Sequence, residues 1–158
     1  MLGLNGDRRM TESNDCVNDF ILMNTFPGLR NSICEIRSKP DRKYNCIALA
    51  AGDTNNLWWP ERGAYWPRGC PRITTLDAFI IAFETLGYIV CDNELCEEDF
   101  VKIAFFVRDD GSPTHAARQL PNGRWLSKCG RYKDIEHDLN ALCGQRYGNI
   151  ACYMKKPA

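Results

Sequence analysis

A short apolar segment between Asn45 and Gly52 constrains the fold more than any other feature of the chain. Asn45 is a favourable N-cap and Gly52 suits the left-handed conformation that ends a helix, so we predict a helix between them. The intervening residues, CIALAA, are apolar on every side, and a helix without a polar face belongs in the interior. Because its alanines allow close approach, we expect this helix to pack against a sheet.

The second half of the chain supplies strands for such a sheet. Residues 101–108, VKIAFFVR, predict a largely buried strand. The dipeptide Asn122-Gly123 predicts a two-residue hairpin turn between strands at 114–120 and 124–128. Shorter strands are predicted at 32–37, 88–91 and 149–154.

Further helices are predicted from capping residues and apolar spacing. A capping box at 74–77, TTLD, precedes a regular apolar stripe that Gly87 ends. Asp134 is placed to cap a helix over 134–142, and residues 15–23 predict another short helix. Helices followed by antiparallel strands, with one helix inserted, indicate an α+β fold.

The composition is that of an ordinary globular protein. The 158 residues are 44% hydrophobic and 25% charged, and we expect one domain over 15–158 after a flexible segment at 1–14. Twenty basic and twenty acidic residues give zero net charge, which argues against binding nucleic acid or a membrane by bulk electrostatics. Since no stretch resembles a secretion signal or a spanning helix, we predict a cytoplasmic location.

Nine cysteines are the unusual part of this composition. An odd number in a chain without an export signal indicates a reducing compartment and buried thiols rather than a disulfide framework. The chain has no C-x-x-C pair, and its only histidines are His115 and His137, so we predict neither a metal site nor a cofactor. The alternative hypothesis is a structural protein stabilised by zinc.

Two side chains carry the candidate chemistry. A nucleophilic thiol must lie where its thiolate is stabilised and where an imidazole can reach it. Cys46 begins the predicted buried helix, where unpaired N–H groups would stabilise a thiolate and an oxyanion. We predict His115 as its partner, because a strand would hold it more rigidly than the predicted helix would hold His137.

The order of these residues resembles the papain-like superfamily, whose compact NlpC-type and CHAP-type members are nearest in size. Five motifs are also similar to those of an uncharacterised family of small bacterial proteins. They are YNCIA at 44–48, WWP at 58–60, PTHAAR at 113–118, SKCG at 127–130 and DIEH at 134–137. This likeness spans about residues 26–156. The family has Trp where this chain has Leu49, and Leu where it has Cys129.

The superfamily resemblance implies a cysteine peptidase, amidase or deamidase with Cys46 as nucleophile and His115 as general base. It also implies a third group that orients the imidazole. Pairing about a two-residue turn would point Ser127 away from His115. We therefore predict Asp134 as the third residue, with His137 and Ser127 as alternatives. The implied partner is a peptide or protein substrate.

An aromatic loop follows the buried helix and contains Trp58, Trp59, Tyr65 and Trp66. These side chains would either line a substrate groove or fill the loop-rich side of the core. A second functional hypothesis depends on the same loop. It is a non-catalytic binding module on this fold that holds a partner through the tryptophans, in contrast to the hydrolase, which needs the thiol and the imidazole.

Overall fold

The computed structural model describes residues 14–158. Except for Asn14, the predicted flexible segment at 1–14 lies outside the described residues. The fold is α+β, as predicted, with one seven-stranded antiparallel sheet. Its strands are β1 (Glu35–Ile36), β2 (Ile89–Cys91), β3 (Phe100–Val107), β4 (Pro113–Gln119), β5 (Trp125–Lys128), β6 (Asp134–His137) and β7 (Asn149–Pro157). They lie side by side in the order β1-β6-β5-β4-β3-β7-β2.

Within residues 14–158, three α-helices and three short 3-10 helices, called 3-10 turns below, accompany the sheet. The helices are α1 (Phe20–Thr25), α2 (Cys46–Ala51) and α3 (Leu76–Glu84). The 3-10 turns are Cys16–Asn18, Pro27–Asn31 and Leu139–Leu142. None of the helices in the described part of the chain is long and apolar enough to cross a bilayer.

Helix α2 begins and ends at the residues that the sequence indicates. The side chain of Asn45 accepts a hydrogen bond from the backbone N–H of Ala48, and Gly52 has a φ of 85°. Every residue from Cys46 to Ala50 is buried, and the helix packs against β4 and β5. The cap and the absence of polar side chains thus account for both the length and the position of α2.

Two apolar cores cover the two faces of the sheet, because neighbouring residues of a strand point to opposite faces. On one face, Phe105 and Ala116 join α2 and α3 in the first core. On the other face, Phe106 and Ala117 join α1 and the N-terminal turns in the second core. The sheet therefore lies between two packed layers.

The predicted helix over 134–142 is wrong. Residues Asp134–His137 form strand β6, and only Leu139–Leu142 make a 3-10 turn. Strand β6 is paired on both sides, with β5 and with β1, and all four of its residues are buried. Pairing with two neighbouring strands outweighs the local capping signal of Asp134.

The turn at Asn122-Gly123 joins β4 to β5 as predicted, but with a loop one residue longer. Leu120 donates its N–H to the carbonyl oxygen of Arg124 at 2.7 Å, so the loop is residues 121–123. Arg118 consequently lies opposite Leu126. A shift of one residue moves every side chain of a strand to the other face.

The prediction of free thiols is wrong for one pair, and of the remaining thiols Cys46, Cys129 and Cys152 are buried while Cys96 is exposed. Cys16 and Cys34 form a disulfide, and the other seven cysteines are free thiols. The backbone N–H of Cys16 donates to the carbonyl oxygen of Cys34, which holds their Cα atoms 5.4 Å apart. That separation suits a disulfide. The predicted helix over 15–23 is split at the same place, because Asp19 caps α1 and separates it from the 3-10 turn Cys16–Asn18.

Candidate functional site

His115 lies in β4 and points into the second core. Its side chain is fully buried and stacks on the ring of Tyr147, with ring centroids 4.0 Å apart and planes at 9°. The ring of Phe106, the residue opposite His115 on β3, meets the imidazole edge at 5.2 Å. Strand geometry and two aromatic rings therefore fix the imidazole.

A row of hydrogen bonds extends from His115 across two strands. The Nε2 atom of His115 lies 2.9 Å from Oγ of Ser127 on β5. The same Oγ lies 2.7 Å from Nε2 of His137 on β6, and Nδ1 of His137 lies 2.7 Å from the carbonyl oxygen of Asp138. The one-residue shift of the hairpin places Ser127 on the face of His115, where the sequence prediction had it pointing away.

This row fixes which atoms carry protons. A carbonyl oxygen only accepts, so Nδ1 of His137 donates to Asp138, and its Nε2 accepts from the hydroxyl of Ser127. The Ser127 oxygen then accepts from Nε2–H of His115. The remaining atom, Nδ1 of His115, keeps its lone pair, and it is buried without a hydrogen-bond partner among residues 14–158.

Burial keeps both imidazoles neutral. It lowers the pKa of His115 well below its usual value, and the neighbouring His137 lowers it further. Burial likewise lowers the pKa of His137 to about 4, although the hydrogen bond to Asp138 acts in the opposite direction. At neutral pH the site therefore presents a base, the free Nδ1 of His115, and no positive charge.

Cys46 is the first residue of α2 and is 7% exposed. Burial raises the pKa of its thiol to about 11, while backbone hydrogen bonds from Ala116 and Ile47 lower it by less. The helix start thus acts on the sulfur in the predicted direction, but desolvation is the larger effect. The thiol is protonated at neutral pH.

The sulfur of Cys46 lies where β4 and β5 separate. Leu120 donates to Arg124 across the turn, so the even-numbered residues of β4 direct their N–H groups toward β5. Strand pairing stops at Arg118 and Leu126, and beyond it a backbone hydrogen bond from Ala116 lowers the pKa of the Cys46 thiol. The structure thus brings Cys46 to the residue next to His115. The thiol is not hydrogen-bonded to Nδ1 of His115, which has no hydrogen-bond partner within the described residues.

Asp134 lies elsewhere. Its Oδ2 accepts a 2.6 Å hydrogen bond from the hydroxyl of Tyr44, and its backbone N–H donates to Ser38. It stands opposite Lys128, on the face of the sheet that carries α2. The expectation that Asp134 reaches back to His115 is therefore not met, because a strand replaces the predicted helix start. Its catalytic role stays a prediction without a contact to support it.

The tryptophans of the aromatic loop are mostly core residues. Trp58 and Trp66 are buried against α3, and their indole N–H groups donate to Asp53 and to the carbonyl oxygen of Pro71. Trp59 is partly buried against Phe79. This arrangement matches the core-filling alternative, and the role of these side chains in substrate binding stays a prediction.

A cleft of about 640 Å³ opens beside the second core. Cys129 and Tyr147, both buried, form its base, while Ile21, Leu22 and Phe26 of the α1 segment form an apolar wall. The floor of the cleft is close to His115 and Cys46, because the ring of Tyr147 stacks on His115. Burial raises the pKa of Tyr147, and electrostatic interactions with Cys129 and Cys46 raise it further.

Sequence reasoning missed this cleft and its base. Tyr147 lies in the loop before β7, where a lone aromatic residue between Gly144 and Gly148 is only a weak signal. In the part of the chain that the structure describes, no three His, Cys, Asp or Glu side chains are grouped so as to hold a metal ion.

Comparison with known proteins gives one match. A family model described as "Domain of unknown function (DUF7689)" matches residues 35–155. No curated protein and no solved structure matches the chain. The matched range contains Cys46, His115, Ser127 and His137, so the whole candidate site lies within it.

Proposed function

Because the chain belongs to the DUF7689 family, a domain of unknown function, we propose an activity from its own side chains. The activity is that of a cysteine hydrolase acting on amide bonds, as a peptidase, amidase or deamidase. The α+β class and the order of helix cysteine, strand histidine and polar residue on the next strand favour a papain-like arrangement of the NlpC type.

One observation carries this proposal. The lone pair of His115 Nδ1 is buried and has no hydrogen-bond partner in the described chain, and the next residue, Ala116, lowers the pKa of the Cys46 thiol through its backbone N–H. Buried polar atoms are nearly always hydrogen-bonded, and a catalytic role is one of the recognised reasons for an exception. The proposed proton transfer from Cys46 needs such a free base within reach of the buried thiol.

The raised pKa of Cys46 and the lowered pKa of His115 determine the mode of catalysis. A neutral thiol beside a neutral imidazole is not a resting ion pair. The thiol instead loses its proton as it attacks, with His115 as general base. Ser127 accepts from Nε2–H and keeps the ring oriented in both protonation states.

The proposed reaction proceeds in two stages. The sulfur of Cys46 bonds to the amide carbonyl carbon while its proton moves to Nδ1 of His115. That proton then passes to the leaving nitrogen as the C–N bond breaks, which leaves a thioester. Water attacks the thioester, gives its proton to His115, and releases the acid as the proton returns to the sulfur. In this scheme Ser127 and His137 take the orienting role that the sequence assigned first to Asp134.

The test is cleavage of a defined peptide library, with side-chain and terminal amides included, followed by mass spectrometry. We expect Cys46→Ala and His115→Ala each to abolish product formation. Cys152→Ala is the matched control, because Cys152 is also a buried free cysteine but lies on β7, which pairs with none of the strands that carry His115, Ser127 and His137. Equal product yields from wild type and Cys46→Ala would overturn the proposal, as would the absence of any product with wild type.

The burial of Cys46 favours one alternative, a non-catalytic binding module on the same fold. Trp58 and Trp66 are buried, so such a module would bind through the cleft rather than through the aromatic loop. Ligand binding without any product in the library assay, and unchanged in Cys46→Ala, would support this alternative.

A further inference from the structure

We propose that the cleft binds a peptide segment that carries both carboxylate and apolar side chains. The inference rests on the proposed function only in calling this peptide the substrate, because binding can be measured without turnover. It is carried by the charge and polarity of the cleft wall.

The charge of the cleft is one-sided. Arg42, Arg131 and Arg146 line it and are exposed, and no aspartate or glutamate is among its lining residues. None of the three arginines forms a salt bridge within residues 14–158, whereas Arg37 and Arg124 both pair with Glu136. The whole chain has zero net charge, so this local excess is not a general property of the surface. Guanidinium groups without partners favour an anionic ligand, and their planar donor pairs suit carboxylates.

The apolar wall argues against a simple inorganic anion. Ile21 is 55% exposed at the cleft, beside the buried side chains of Leu22 and Phe26. A ligand that covers this wall gains the free energy of apolar burial only if it has an apolar part of its own. A peptide with alternating acidic and apolar side chains meets both requirements.

The position of the cleft fits a substrate role. Its base includes Tyr147, whose ring stacks on the imidazole of His115. Tyr147 belongs to a short loop that the paired residues Gly144 and Gly148 close. A peptide in the cleft would therefore lie against the ring of Tyr147, which covers His115, the proposed general base.

A nucleic acid is the less suitable occupant. Nucleic-acid affinity depends on neutralising many phosphates along an extended basic surface. Three arginines around a cleft of about 640 Å³, on a chain with zero net charge, provide too short a surface for that. The volume is that of an ordinary small-ligand pocket.

The test measures binding to the full chain carrying Cys46→Ala, by fluorescence anisotropy of labelled peptides. One peptide contains alternating Glu and Leu, and the second has Gln at each Glu position. We expect the Glu peptide to bind at least about tenfold more tightly, as charge-assisted hydrogen bonds to arginine imply. The preference should shrink at high salt.

Variants of the arginines locate the site. Adding Arg131→Gln and Arg146→Gln should remove the preference for the Glu peptide. Adding Arg62→Gln, an exposed arginine outside the cleft, should leave it unchanged. Equal binding of the two peptides, or an equal loss with Arg62→Gln, would overturn the proposal. Tighter binding of a labelled single-stranded oligonucleotide than of the Glu peptide would also overturn it, in favour of a phosphate polymer. None of these outcomes depends on hydrolysis, so the binding proposal can fail or succeed independently of the library assay that tests the proposed function.

Discussion

The hydroxyl of Ser127 joins two buried imidazoles that have no other side-chain hydrogen bond within residues 14–158. It accepts from His115 and donates to His137, and all three side chains are fully buried. Each imidazole nitrogen bonded to Ser127 would lose its partner if the hydroxyl were removed. Removing this one hydroxyl would therefore leave two buried polar atoms unpaired and cost the free energy of burying both.

We expect Ser127→Ala to lower the free energy of unfolding by about 2–3 kcal/mol, because it leaves two buried nitrogens without partners. Urea denaturation followed by circular dichroism measures this. Ser112→Ala is the matched control, since Ser112 bonds Asp110 in an exposed turn, and it should change stability by less than about 0.5 kcal/mol. Equal effects of the two substitutions would show that the row through Ser127 does not stabilise the fold.

The candidate residues differ in how far the sequence could identify them. The sequence predicts Cys46 and His115 as candidates because a helix cap and the scarcity of histidine are local signals. Ser127 was only an alternative, because its face depends on whether the hairpin loop has two residues or three. Asn122-Gly123 is compatible with both, and the structure has three. A two-residue loop also favours Asp134 over Ser127 as the third residue, and Asp134 was further expected at the start of a helix that does not form.

At the scale of elements, local signals again succeed where long-range pairing does not intervene. Helix α2 follows from Asn45 and Gly52, and α3 follows from its apolar stripe, although its cap is Thr75 rather than Thr74. Strand β6 could not be predicted, because it depends on pairing with β1 and β5 on both sides. The pairing with β1 joins residues about a hundred positions apart, for example Glu35 with Glu136, and a local pattern does not contain it.

The loop that carries Tyr147 depends on Gly148. Gly148 has a φ of 78°, and a Cβ at this position would lie 2.0 Å from the carbonyl oxygen of Val107. We expect Gly148→Ala to destabilise the protein by more than the roughly 1 kcal/mol that a left-handed alanine alone costs. Gly69→Ala is the control, because Gly69 has a φ of 81° and nothing within 4 Å of its Cβ position.

Thermal unfolding of the two glycine variants separates backbone strain from steric overlap. The Gly148 variant should have the lower midpoint, and it should also lose affinity for the Glu peptide, since Tyr147 forms the base of the cleft. Identical midpoints would mean that Val107 moves aside at no cost, which would contradict the close packing of this loop.

At the scale of the whole molecule, the two buried histidines make stability depend on pH. Both have a pKa below the value of about 6.5 that an unfolded chain gives. The unfolded state therefore binds more protons than the folded state below about pH 6.5. Stability is fully present above that pH and is lost as the pH falls toward the folded pKa, which is about 4 for His137.

We expect the free energy of unfolding to fall by about 1.4 kcal/mol per pH unit for each histidine in this range. Urea titrations between about pH 5 and 6.5 measure this slope where ordinary carboxylates, which titrate near 4, contribute little, and where Asp134, whose pKa burial raises, contributes in the opposite direction. His137→Gln should reduce the slope by about half while His115 still titrates. An unchanged slope in that variant would contradict the assignment of the proton linkage to His137.

The disulfide between Cys16 and Cys34 encloses α1, and α1 carries Ile21 and Leu22 of the cleft wall. The wall is thus anchored covalently beside β1 at the edge of the sheet. A strong reductant would cut this anchor without touching the thiol of Cys46. Affinity for an amphipathic ligand would then follow the redox poise of the solution, and two preparations with the same sequence would differ in their binding.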